Sequence, residues 1–113
     1  MSLEVININE GDKIQWDIQE NTITLGDLTI DLSAREKDIP ITIDISRDSE
    51  GNLIEGIGDF YIANIIIPPR RYGKTVQIIT DAEGNEINQT IPKALPFDIN
   101  RVKLQLWAMG GNQ

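Results

Sequence analysis

The side chains of this sequence that could do chemistry are carboxylates, because histidine and cysteine are both absent. Thiol nucleophiles, Ser-His-Asp triads, zinc fingers and internal disulfides are therefore excluded within the chain. Asp17, Asp31 and Asp44 each occupy the polar side of an alternating segment. If those segments were neighbours, the three carboxylates could line up and hold a hard cation such as calcium. The simpler account leaves them solvated on a wet sheet face. Two D-x-E-G-N stretches, at 48–52 and 81–85, also invite a calcium reading. An EF-hand loop, however, needs glycine at its sixth position and glutamate at its twelfth. Here glycine falls fourth, so that motif is absent. Asp can instead open a type I turn and Gly can take the left-handed position of a tight hairpin. A glycosidase would need two carboxylates across a sugar-sized cleft. The eighteen acidic residues supply candidates, but none has a recognisable setting. No enzyme activity, cofactor or metal site is expected.

Two other groups could contact a partner. Trp107 falls on the polar side of its alternation and could act as a stacking platform for a sugar, or as an interface residue. Arg70, Arg71, Tyr72 and Lys74 form the one basic cluster. It could contact an acidic partner, including a second copy of the chain; the simpler account is a solvated turn. Gly56 and Gly58 (G-I-G) lack the pattern and helix of a phosphate-binding loop.

Strands must position these residues. Ile14, Trp16 and Ile18 alternate with Lys13, Gln15 and Asp17; Leu28, Ile30 and Leu32 with Thr29, Asp31 and Ser33. Ile41, Ile43 and Ile45 alternate with Thr42, Asp44 and Ser46, and Val102, Leu104, Leu106 and Ala108 with Arg101, Lys103, Gln105 and Trp107. Period two of this kind describes antiparallel sheet with one packed and one wet face. It places Ile14, Trp16, Ile18, Ile30, Ile43, Leu104 and Leu106 in the core. With the intervening turn signals, strands are expected at 3–8, 13–18, 22–25, 28–32, 40–46, 53–57, 60–67, 74–80, 86–91 and 100–108. Residues 33–38 support one helical turn at most. The fold expected is an all-β antiparallel sandwich or partly open barrel of about eight to ten strands, a single domain over 1–113. The hairpin 74–91 is a candidate to project from it.

The segment 60–67 breaks the alternation, with Ile65, Ile66 and Ile67 consecutive and Pro68-Pro69 following. Such a run is either a strand buried on both faces or one covered by a partner chain. The second account makes Ile65, Ile66 and Ile67 candidate self-association residues, with Trp107, Arg70, Arg71 and Tyr72 as further contacts.

Composition agrees with one globular β domain. At 113 residues a chain buries roughly two-thirds of its unfolded surface and needs no staple. Its twenty-one isoleucines are stiff at χ1 and fit a pleated, half-buried surface. A net charge of −8 repels phosphate backbones and anionic headgroups, so neither nucleic acid nor membrane is an expected partner. The opening Met1-Ser2-Leu3-Glu4 carries no signal-peptide pattern, and no segment has the ~20 apolar residues of a membrane-spanning helix. Synthesis in the cytoplasm is expected.

Ile14 to Ile18 (I-Q-W-D-I), Tyr61 to Asn64 (Y-I-A-N) leading to Pro68, and Pro96 to Asn100 (P-F-D-I-N) resemble small uncharacterised proteins encoded among the tail genes of temperate bacteriophages and prophages. The resemblance touches about a third of the chain. It implies a virion or assembly component, with no catalytic residues to carry over. With the apolar run at 65–67, the expected partners are a second copy and other virion proteins. The alternative is a carbohydrate- or ligand-binding β-module built on Trp107 and nearby loops.

Overall fold

The computed structural model describes residues 3–109. Met1 and Ser2, on which the reading of the N-terminus partly rests, lie outside the described residues, as do residues 110–113.

The described chain is all-β. In order it forms β1 (Glu4–Asn7), β2 (Trp16–Gln19), β3 (Thr22–Leu25), β4 (Leu28–Asp31), β5 (Ile41–Arg47), β6 (Leu53–Glu55), β7 (Phe60–Ile67), β8 (Tyr72–Thr80), β9 (Glu86–Ala94) and β10 (Lys103–Leu106). Three-residue 3-10 turns at Ser33–Arg35 and Ile99–Arg101 are its only helical pieces. The second is capped by Asp98, whose carboxylate accepts from the Asn100 N–H. That turn shortens the strand expected at 100–108.

Two sheets stack as a sandwich that does not close into a barrel. One has the order β1-β10-β7-β5-β6, the other is the meander β2-β3-β4. Register explains the core. Across the larger sheet Leu104 pairs with Ile65 and Ile65 with Ile43, while Leu106 pairs with Ala63 and Ala63 with Ile45. These rows face Ile23, Leu25, Ile30 and Leu32 of the smaller sheet and its exit in one buried cluster. Pairing is antiparallel except at the edge, where β1 runs parallel to β10. Nothing local dictates that direction, since these strands meet only through the completed fold.

Two expectations about the core need correction. Trp16 and Ile18 are only half-buried against the cluster, because β2 is the outer strand of its sheet. More consequentially, Ile65 and Ile67 are wholly buried inside the monomer and Ile66 is half-buried on the outer face. β7 is also the central strand, hydrogen-bonded to β10 and β5, so it has no free edge. Ile65 and Ile67 are covered by the chain's own smaller sheet and are unavailable to a second copy, while Ile66 stays half-buried on the outer face.

The hairpin does project. β8 and β9 form a separate two-stranded ribbon, longer than the expected 74–91, that contributes nothing to the buried cluster. It makes the molecule 75 Å long but only 27 by 20 Å across.

Candidate functional site

A ribbon of two nine-residue strands is an unusual thing to leave in water. An isolated two-stranded hairpin is marginally stable there, because neither face has a layer to pack on. This one carries exposed apolar side chains on both faces. Tyr72, Val76 and Ile78 lie on one, with Ile79 and its cross-strand partner Ile87 on the other. Val76 and Ile78 retain 61% and 62% of their accessible surface.

Its local geometry is well specified. At the tip, Asp81 N–H donates to Asn85 C=O at 2.9 Å and Gly84 N–H to Asp81 C=O at 3.1 Å. The Asp81 carboxylate accepts from the Glu83 and Asn85 amides, each at 2.9 Å. The Asn85 and Glu83 N–H groups favour the ionised form and hold its pKa below the ordinary aspartate value. Gly84 sits at φ +85°, a left-handed conformation that a Cβ would strain. Asp48 to Asn52 repeats the arrangement in the β5–β6 turn. Both D-x-E-G-N stretches are therefore turn chemistry.

At the base, the basic cluster straps the ribbon to the sandwich. Arg70 pairs with Asp38 at 3.1 Å and Glu36 at 3.6 Å, and its guanidinium donates to the Glu36 carbonyl at 2.9 Å. The Tyr72 hydroxyl donates to Asp38 at 2.7 Å. Arg71 is 3.7 Å from Asp98 and 43% exposed in its side chain. The structure thus brings Arg70, Arg71 and Tyr72 together but leaves Trp107 and Ile66 on the larger sheet.

Trp107 belongs to a second cluster on the outer face of that sheet. Its ring lies 5.9 Å from Tyr61, tilted by 39°. Its indole N–H donates to Asn64 Oδ1 at 2.6 Å, and Asn64 Nδ2 donates to Asp44 Oδ1 at 2.8 Å. The other two candidate carboxylates do not join it. Asp17 and Asp31 are exposed on the smaller sheet, and Asp31 accepts instead from the Ser33 hydroxyl at 2.7 Å. Among the described residues no group of three or more carboxylates gathers as metal ligands, and no helix is long and apolar enough to cross a membrane. An open, polar groove of about 450 Å³ lies over Thr22, Thr24, Thr29 and Asp31.

Of the ribbon's exposed apolar residues only Tyr72 is among the sequence-based candidates; Val76, Ile78, Ile79 and Ile87 are not. Alternation of Val76 and Ile78 with Thr75 and Gln77 marks a strand with one apolar face, but cannot say whether a layer covers that face. Asn64 is also missed, although one amide inside F-Y-I-A-N-I-I-I was a signal that β7 carries a polar contact.

No known protein family, no curated protein and no solved structure matches this chain.

Proposed function

We propose that this chain is a non-enzymatic structural or assembly protein that self-associates, of the kind encoded among phage and prophage tail genes. The single observation that carries this reading is the uncovered β8–β9 ribbon. An apolar surface exposed on a slender arm is of no use to a catalytic site, and soluble proteins usually hide such surface in an interface. The arm also reaches well beyond the sandwich, giving length where an enzyme or compact receptor would need a cleft. The resemblance to tail-gene products supplies the biological setting, with a second copy and other virion proteins as partners. Sedimentation velocity over a concentration series tests the reading. A species that grows with concentration is expected; a monomer persisting to high micromolar concentration overturns it.

A second reading, a carbohydrate-binding module, is favoured by the Tyr61–Trp107 pair alone. The two rings could stack on a sugar face while the neighbouring Asp44 carboxylate accepts hydrogen bonds from its hydroxyls. Titration with oligosaccharides, followed by tryptophan fluorescence, separates the two. Saturable binding abolished by Trp107→Ala would favour the module.

A further inference from the structure

We infer that the chain dimerises through the free edge of β8, two copies pairing antiparallel about Val76 to make one four-stranded ribbon; this rests on the self-association reading above and names its surface.

The hydrogen-bond phase of the hairpin identifies the edge. Leu95 N–H donates to Arg71 C=O and Asp81 N–H to Asn85 C=O, so bonded pairs alternate from these two positions inward. Odd-numbered residues of β8 therefore bond to β9. The backbone amides and carbonyls of Tyr72, Lys74, Val76, Ile78 and Thr80 point the other way, where no third strand lies among the described residues. The opposite edge is different. Pro92 pairs with Lys74, an outward-facing position, so it costs the hairpin nothing but leaves a gap in the outer row of donors. One edge is blunted and the other is an unbroken template.

A second copy fits this template better than an unrelated strand does. Full overlap of the nine residues of β8 with themselves centres the two-fold axis on Val76. All the outward-facing positions then meet each other: Val76 faces Val76 of the second copy, Lys74 faces Ile78, and Tyr72 faces Thr80. The only charge on the strand, Lys74, avoids its own image. Val76 and Ile78 of both copies gather on one face, which covers the two most exposed isoleucine and valine side chains of the arm. Outside the paired strands the charges also match. Asp81 then comes opposite the other copy's Arg71, whose side chain is 43% exposed beside Asp98, while Arg70 stays held by Asp38 and Glu36. For a chain carrying −8 overall, this pair works against the long-range repulsion between copies.

The chain has no cysteine, so single introduced thiols report the register directly. Residues facing across a bonded antiparallel pair lie ~5.5 Å apart at Cα, inside the disulfide range of about 4.4–6.8 Å. Val76→Cys should therefore give a covalent dimer under mild oxidation. Gln77→Cys, displaced diagonally from its image by ~7–8 Å, should cross-link several-fold less. Val76→Pro removes an outward N–H that the hairpin does not use, and should sediment as a monomer with unchanged far-UV circular dichroism. An unmodified chain that oligomerises while the Val76→Cys variant, folded by dichroism, forms no covalent dimer overturns this edge and leaves self-association standing. An unmodified chain that stays monomeric overturns both.

Discussion

Ile65 and Asn64 are adjacent in sequence and face opposite layers of β7, and each carries a prediction. Ile65 is wholly enclosed between Leu104 and Ile43 on its own sheet and the β2-β3-β4 layer. Ile65→Ala should cost about 2–5 kcal/mol, the transfer and cavity cost of a buried isoleucine, measured by denaturant unfolding. Trp16→Ala should cost less than the ~3–5 kcal/mol of a fully buried aromatic, because β2 leaves its ring half-exposed. A Trp16→Ala loss as large as ~3–5 kcal/mol would contradict the outer position of β2. Asn64→Ala leaves the Trp107 indole N–H without its acceptor and Asp44 without its donor. A loss of about 1–3 kcal/mol is expected for a partly buried network of this kind, with a shift in tryptophan emission. Gly58→Ala is a backbone test, since a Cβ there would lie 2.5 Å from the Arg47 carbonyl oxygen. It should destabilise the chain and open the turn between β6 and β7.

Among the elements, the two Asp-Gly turns respond to acid in a defined direction. In Asp48 and Asp81 the folded-state pKa is depressed, chiefly by the Asn52 and Asn85 amides respectively. A depressed carboxylate contributes stability above its unfolded pKa and loses it as pH falls through the folded value. Both turns should therefore hold above about pH 4 and loosen below it. Hydrogen exchange at the Glu83 and Asn85 amides checks this, with Asp81→Ala reproducing the acid behaviour at neutral pH. If those amides exchange at the same rate in the variant, the carboxylate does not organise the tip. The ribbon should loosen without unfolding the sandwich, as it shares no buried residue with the core.

For the whole molecule, the division between sandwich and arm is the feature with most consequence. Replacing residues 73–93 by a short glycine linker should leave a folded sandwich with its cooperative unfolding intact. The same truncation should abolish self-association in sedimentation. An aggregated or unfolded truncation would mean that the ribbon supports the core. Folding should also be slow for a chain of this size. β1 pairs with β10, a closure between the two ends of the chain, and non-local sheet pairing places small domains in the millisecond-to-second range, roughly.

Strand content, turn chemistry and most of the core were legible in the sequence because each is a local property. Ile43, Ile30, Leu104 and Leu106 betray their inward direction by alternation with polar neighbours, and Asp81 with Gly84 specifies a turn within five residues. Sheet order is not local. Whether Ile65 and Ile67 meet a partner or their own chain depended on β10 and β5 closing the edges of β7 and on the β2-β3-β4 sheet packing over its inner face, contacts between segments far apart in sequence. Whether Val76 and Ile78 are covered depended likewise on a packing layer, which the ribbon lacks among the described residues and about which a period of two is silent. Alternation and turn residues thus say which side chains favour burial and where the chain reverses. Which of them find cover within one molecule follows from the packing of distant strands, because cover is supplied by whichever layer comes to lie against them.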